Sequence, residues 1–120
     1  MNELFGQPYN ESDPHWVVMG YFDSIYSRGY LLESIALIVK RWGFCADGAY
    51  CSFPDKNSLF EEDHFDGVEF AYGYPPTDDT TIVVSETTCS EYVRLACQKY
   101  LQLHPDDRDE VETLLEQLSF

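Results

Sequence analysis

The sequence predicts an α+β fold, a small antiparallel sheet packed against N-terminal and C-terminal amphipathic helices. Three observations predict it. Apolar residues recur at helical spacing near the start, alternate at strand spacing through the middle, and return to helical spacing at the end. Strand and helix signals are grouped rather than interleaved, which argues against a parallel βαβ sheet. With 120 residues, 44% hydrophobic and 16% aromatic, the chain can bury one core but not two, so one domain is expected over residues 1–120.

The first helix is expected to start at Ser12-Asp13-Pro14, where Asp13 can cap and Pro14 suits the first turn. Val18, Phe22 and Ile25 follow at four–three spacing, and Gly29 supplies a left-handed C-cap after Arg28. A second helix carries Leu31, Ile35, Ile38 and Trp42 on one stripe, with Lys40 and Arg41 in its last turn and Gly43 ending it. Asp47-Gly48, between Phe44-Cys45-Ala46 and a run from Ala49 to Phe53, is a two-residue hairpin signal. After a polar stretch from Pro54 to Asp66, Val68, Phe70 and Tyr72 alternate with Glu69 and Ala71, as in a strand with one buried face. Gly73 to Asp79 is expected to be a loop, because its prolines bar pairing, and the β-branched run from Thr80 to Val84 a further strand. Thr88 and Glu91 match a capping box, opening a helix with Cys89, Val93, Ala96, Tyr100 and Leu103 inward and Pro105 at its end. Asp106 and Asp107 open a final helix that buries Val111, Leu114, Leu115 and Leu118.

Twenty-two acidic residues against seven basic ones give a formal net charge of −15, beyond the magnitude of about 2–8 that solubility asks of a small domain. Nucleic acid and anionic membrane are poor partners for such a chain, because phosphate is bound through Lys and Arg. The natural complement is a basic protein surface. The N-terminus, Met1-Asn2-Glu3-Leu4-Phe5, has neither the basic nor the apolar region of a signal peptide, so the cytosol is the expected address. Cys45, Cys51, Cys89 and Cys97 allow three disulfide connectivities. In a reducing compartment they are expected instead to be buried free thiols.

Catalytic and metal chemistry find little footing. His15, His64 and His104 are scattered, and no nucleophile–base set can be assembled around them. His15 is expected at the surface or a rim, His64 in a solvated ion pair and His104 beside a helix C-terminus. Five residues separate Cys45 from Cys51 and seven separate Cys89 from Cys97, unlike the close pairs of zinc sites. Asp106 to Glu110 lacks the central glycine of a calcium loop. No enzyme, metal or cofactor is expected.

The stretches Asp13 to Val18, Gly43 to Asp47, Cys51 to Asp55, Phe65 to Phe70, Val83 to Glu86 and Tyr92 to Cys97, with His104-Pro105 downstream, are similar to a known family. They resemble the immunity proteins of bacterial contact-dependent growth inhibition, in the branch that neutralises ribonuclease toxins. The resemblance implies a cytosolic protein that binds the toxin domain of its cognate effector and blocks RNA cleavage, with tRNA the expected target. It implies no catalytic residue. The charge agrees, since a ribonuclease presents cations to phosphate and an inhibitor can oppose them with carboxylates. A monomer forming a 1:1 complex is expected. The alternative is an acidic nucleic-acid mimic or regulatory adaptor that occupies the groove of a basic DNA-binding protein.

The binding surface is expected in the middle of the chain, where nine acids from Asp55 to Glu86 meet only Lys56, a local balance of −8. The candidates are Glu61, Glu62, Asp63, Asp66, Glu69, Asp78 and Asp79, with Tyr72 and Tyr74 as aromatic contacts. The acids from Asp106 to Glu116 compete, but their helical spacing explains them as a solvated face.

Overall fold

The computed structural model describes residues 4–6, 13, 15–46, 48–55, 57, 59–61, 65–73 and 75–120. Helices α1 (Trp16–Ser27) and α2 (Leu31–Ile38) precede strands β1 (Phe44–Ala46), β2 (Ala49–Ser52), β3 (Val68–Gly73) and β4 (Pro76–Val84). Helix α3 (Glu86–Leu103), a 3₁₀ turn (Pro105–Asp107) and α4 (Arg108–Gln117) complete the chain. The strands form an antiparallel meander in the order β1-β2-β3-β4, as the α+β pattern predicts.

Helix α1 crosses the sheet, touching β2, β3 and β4, and α3 and the α2–α4 pair close around it. Val17, Val18, Tyr21, Phe22 and Ile25 of α1 are buried, and the rings of Tyr21 and Phe22 meet that of Phe70 at 5.2 and 5.9 Å. Such side chains each contribute about 1.5–3 kcal/mol when fully buried. Two polar contacts fix this layer. The Tyr21 hydroxyl lies 2.6 Å from Ser34 Oγ, joining α1 to α2. The buried Asp23 carboxylate accepts the backbone N–H groups of Leu4, Phe5 and Gly6 at 2.8, 2.8 and 3.0 Å, holding the N-terminal segment on the helix.

Asp13 forms a turn before α1 rather than capping it directly: its carboxylate accepts from His15 N–H, and its carbonyl accepts from Trp16 N–H. Pro14 lies outside the described residues. At the other end Gly29 (φ +80°) donates to the Tyr26 carbonyl and Tyr30 N–H to that of Ile25, the paired bonds of a Schellman cap. Helix α2 ends with the same bonds but without glycine. Arg41 (φ +60°) donates to the Ile38 carbonyl and Trp42 N–H to that of Leu37, so the helix stops before the expected Gly43. Trp42 leaves the apolar stripe and is 59% exposed. Gly43 serves β2 instead, since a Cβ there would lie 2.7 Å from the Cys51 carbonyl oxygen.

The β1–β2 hairpin forms as expected, pairing Ala46 with Ala49; Asp47 lies outside the described residues. Alternation then sorts the sheet. Phe44, Ala46, Ala49, Cys51, Val68, Phe70, Ile82 and Val84 belong to the core or pack against it. Cys45, Tyr50, Ala71 and Thr81 form one row of the other face by register, and Ser52, Glu69 and Val83 the next. Cys45 is therefore exposed, while Cys51, Cys89 and Cys97 are buried as expected.

Strand β4 begins at Pro76, inside the segment expected to be a loop. A proline is tolerated as the first residue of an edge strand, and β4 pairs with β3 alone. Gly73 pairs with Pro76 and Ala71 with Thr81, so residues 77–80 bulge opposite Tyr72. Thr80 Oγ1 accepts from Thr77 N–H at 2.8 Å and the Thr81 hydroxyl donates to the Thr77 carbonyl, closing the bulge.

Helix α3 starts a turn earlier than the Thr88-Glu91 pattern predicts. Ser85 is the N-cap and accepts from Thr88 N–H at 3.0 Å, with Glu86 in the first turn. Cys89, Val93, Ala96 and Cys97 face the core, Tyr100 is half-buried, and Leu103 is 47% exposed rather than inward. Helix α4 buries Val111 and Leu114, with Leu118 at its end and Leu115 half-buried.

Candidate functional site

The acidic middle of the chain is spread along the β3–β4 hairpin and the connection that leads into it. Glu61 and Asp66 are exposed before β3, and Glu69 lies half-buried on the sheet face away from α1, paired with Val83. Asp78 and Asp79 are exposed in the β4 bulge, at the opposite end of the hairpin. Strands rise about 3.4 Å per residue, so the length of β3 keeps these two groups roughly 15 Å apart or more. They form a band with two ends along the β3–β4 hairpin rather than one patch. Tyr72 is half-buried and packs against the core, on the inward side of β3. Glu62, Asp63 and Tyr74 lie outside the described residues, as does His64.

Sequence reasoning missed an apolar component of this band. Leu59 and Phe60, immediately before Glu61, are 98% and 63% exposed. Large side chains held in solvent beside acids are the composition of a protein-binding patch. The available signal was an apolar pair in a polar segment, with neither helical nor strand periodicity to explain it.

A second feature lies among the helices. A cleft of about 560 Å³ is lined by the C-terminal end of α1 (Tyr26, Ser27, Gly29), the start of α2, and the α3–α4 junction. The Tyr26 hydroxyl and His104 Nε2 are hydrogen-bonded at 2.6 Å, and the His104 ring stacks on Tyr100 at 4.5 Å. The Tyr100 hydroxyl donates to the Asp107 carboxylate. Burial pushes the Tyr26 pKa up, and burial together with Asp107 raises that of Tyr100 further, so both hydroxyls keep their protons at neutral pH. His104, expected beside a helix C-terminus, is the C-cap residue of α3 and ties it to α1. His15 is half-buried with its ring edge-on to Tyr92.

The thiols do not suggest nucleophilic chemistry in the core. Burial pushes Cys51 well up, Cys97 up to about 11 and Cys89 up to about 12, which leaves them protonated. Among the described residues, no group of three His, Cys, Asp or Glu side chains could hold a metal ion. Among the same residues, no helix is long and apolar enough to cross a membrane.

Comparison with known proteins adds a family and a fold. A family model described as CDI immunity protein matches residues 14–115. The fold is similar to a crystal structure of an immunity protein, NMB0503, from Neisseria meningitidis MC58. That likeness has a TM-score of 0.75 at 18% sequence identity and covers 97% of this chain and 98% of the other. No curated protein sequence matches. The family match spans most of the chain, from the turn before α1 to the inner face of α4, and the chain therefore belongs to the CDI immunity protein family, the toxin-neutralising proteins of contact-dependent growth inhibition.

Proposed function

We propose that this immunity protein neutralises a ribonuclease toxin domain, with tRNA as the toxin's target, by direct non-catalytic binding through the acidic band along the β3–β4 hairpin. The observation that supports the reading is that Glu61 and Asp66 at one end of the β3–β4 hairpin, and Asp78 and Asp79 at the other, are exposed to solvent, with exposed Leu59 and Phe60 just before Glu61. Glu69 and Tyr72 belong to the same hairpin, and Glu62, Asp63 and Tyr74 to the same segments of sequence. A toxin that cleaves RNA needs cations to hold phosphate and stabilise charge at the scissile phosphorus. Carboxylates set against those cations exclude the RNA, and the −15 charge of the whole chain speeds the encounter. The protein acts as a monomer, forms a 1:1 complex and does so in the cytosol, where the toxin meets its RNA.

Two measurements test this. The first is coexpression with the toxin domain of the cognate effector, followed by growth and the integrity of cellular RNA. The second is titration of the purified pair by calorimetry. Rescue of growth with intact tRNA and a 1:1 endpoint is the expected result. A toxin that is neutralised but leaves RNA intact would remove the ribonuclease assignment. A toxin domain that does not bind at all would overturn the reading.

A further inference from the structure

We propose that the cleft between α1, α2 and the α3–α4 junction is a receptor for one arginine or lysine side chain of the bound toxin domain. This inference rests on the reading of the partner as a basic protein, and it adds a contact region separate from the acidic band. Two features of the cleft favour a cation.

Its walls are aromatic. The rings of Tyr26 and Tyr100 meet edge-to-face at 5.9 Å, His104 stacks on Tyr100, and Leu31 and Leu32 complete the apolar side. Such faces attract a guanidinium or ammonium placed over them and pack its methylene stem. Its rim is acidic, with Glu33, Asp107 and Glu110 among the lining residues and no lysine or arginine among the described ones. The C-terminal ends of α1 and α3 and the N-terminal ends of α2 and α4 meet there, so their dipoles offset one another and the carboxylates set the sign of the field. Arg28 and Arg108 lie near in sequence but are exposed and do not line the cleft.

A purely structural account is available for part of this. Glu33 and Glu110 sit in the first turns of α2 and α4, where acids favour the positive end of each helix. That explains why acids stand at these positions. It does not explain why a cleft of this volume has aromatic walls and no lysine or arginine among its described lining residues. A phosphate or carboxylate ligand is disfavoured by the acidic rim and the aromatic walls, whereas a protonated side chain satisfies both. Arginine fits best, because a guanidinium both stacks on aromatic rings and pairs with carboxylates through a planar fork of donors.

The first arm of the test needs no toxin. The protein is titrated with L-argininamide, and with neutral citrulline amide as control, while amide resonances are followed by NMR. Saturable shifts confined to the cleft, at Gly29, Leu32 and His104, are expected with the charged probe alone. Shifts that are absent, or spread over every acidic segment, would overturn the proposal whether or not the toxin binds. The second arm measures toxin affinity for E33Q/E110Q against E112Q/E116Q, which removes the same charge from α4 positions that do not line the cleft. The cleft pair is expected to weaken binding by about tenfold and the control by less than about twofold. Equal affinities for the two variants would remove the toxin as the occupant and overturn the proposal. Failure of the wild-type protein to bind toxin would count against the function proposed above, and the argininamide titration would still decide the cleft.

Discussion

Asp23 and the Asp78-Asp79 pair hold the same functional group and use it in opposite ways. Asp23 is buried in the middle of α1, and both of its carboxylate oxygens accept backbone N–H groups from the N-terminal segment. Asp78 and Asp79 stand in solvent on a bulge that threonine hydroxyls close without them. Removing the first would leave buried donors without an acceptor. Removing the others would leave water. The helical layer thus ties its polar groups into the fold, and among the described residues it leaves no buried side-chain polar atom without a partner. The hairpin edge keeps acids that the fold does not require. Stability and recognition are assigned to different carboxylates, and substitutions can separate them.

Asp23→Ala is the strongest probe of the structural side. It removes the acceptor for three N–H groups, one of them on the buried Leu4. Charge-assisted hydrogen bonds of this kind support a loss of about 2–4 kcal/mol, or roughly 10 °C in midpoint. Asp23→Asn keeps one acceptor oxygen and should lose about half as much. Thermal unfolding of the three proteins checks the order, and an Asp23→Ala midpoint within a degree of wild type would erase the contrast.

The core thiols and phenols give the next effect, which depends on pH. In the folded protein the pKa values of Cys89, Cys97, Cys51, Tyr21 and Tyr100 are raised by burial. Their folded values exceed their unfolded ones, so above the unfolded thiol value of about 8.5 the unfolded chain binds fewer protons. The derivative of unfolding free energy with pH is then negative. Stability should be complete below that value and fall steadily as pH rises toward 11–12, the range to which Cys97 and Cys89 are pushed. Urea unfolding at pH 7, 9 and 10.5 measures it. In a thiol-reactivity assay at pH 8, exposed Cys45 should react first, with the three buried thiols following only on unfolding.

A smaller effect compares the two Schellman caps. Gly29 occupies its left-handed position without strain, while Arg41 holds a similar φ at a cost of about 1 kcal/mol. Its guanidinium is then placed on Glu86 at 2.9 and 3.2 Å and over the Phe120 ring at 4.6 Å, joining α2 to α3 and the C-terminus. The pair is largely exposed and contributes about 0–1 kcal/mol. Arg41→Gly should therefore be close to neutral, since relieved strain offsets the lost contacts. Arg41→Ala keeps the strain, loses the contacts and should cost about 1 kcal/mol. Equal midpoints for the two variants would show that φ at this position carries no strain.

The same cap shows what the sequence made legible. Gly29 and Asp47-Gly48 were readable because glycine at those places has a local reason that needs no partner. The end of α2 was not, because Arg41 is held in a left-handed conformation by residues 45 and more positions away. Ser85 is not singled out as the cap of α3 by sequence, because Thr88 and Glu91 also satisfy the pattern and pairing of β4 decides where the strand stops. Pro76 reads as a loop residue in the sequence because only the strand order shows that β4 is an edge, where a proline is tolerated. At the candidate site, acidic composition pointed to the hairpin segment directly. The cleft was invisible, since Tyr26, Glu33, Tyr100, His104 and Glu110 meet through packing of four separate elements.

The smallest expected effect on stability accompanies the most informative effect on binding. Asp78→Lys with Asp79→Lys reverses two charges that are exposed, sit in a bulge and receive none of its closing hydrogen bonds. Exposed charges contribute about 0–1 kcal/mol each way, and in a chain of charge −15 a reversal also relieves self-repulsion, so the midpoint should move by about a degree or two. The triple reversal of Glu61, Glu62 and Asp63 to Lys tests the other end of the band in the same way. Toxin association should slow for both sets, with a loss that shrinks as salt rises, because steering is screened beyond a Debye length of about 8 Å at physiological ionic strength. Residual weakening at high salt would report direct contact. Glu112→Lys with Glu116→Lys is the matched control, since these acids lie on the exposed face of α4 and alter net charge by the same amount as the Asp78-Asp79 pair. It should reproduce the salt-sensitive part and lack the residue. If the control abolishes binding while both hairpin sets are neutral, the interface lies on the helical side, and the carboxylates along β3 and β4 serve to keep an exposed sheet edge from pairing with other chains.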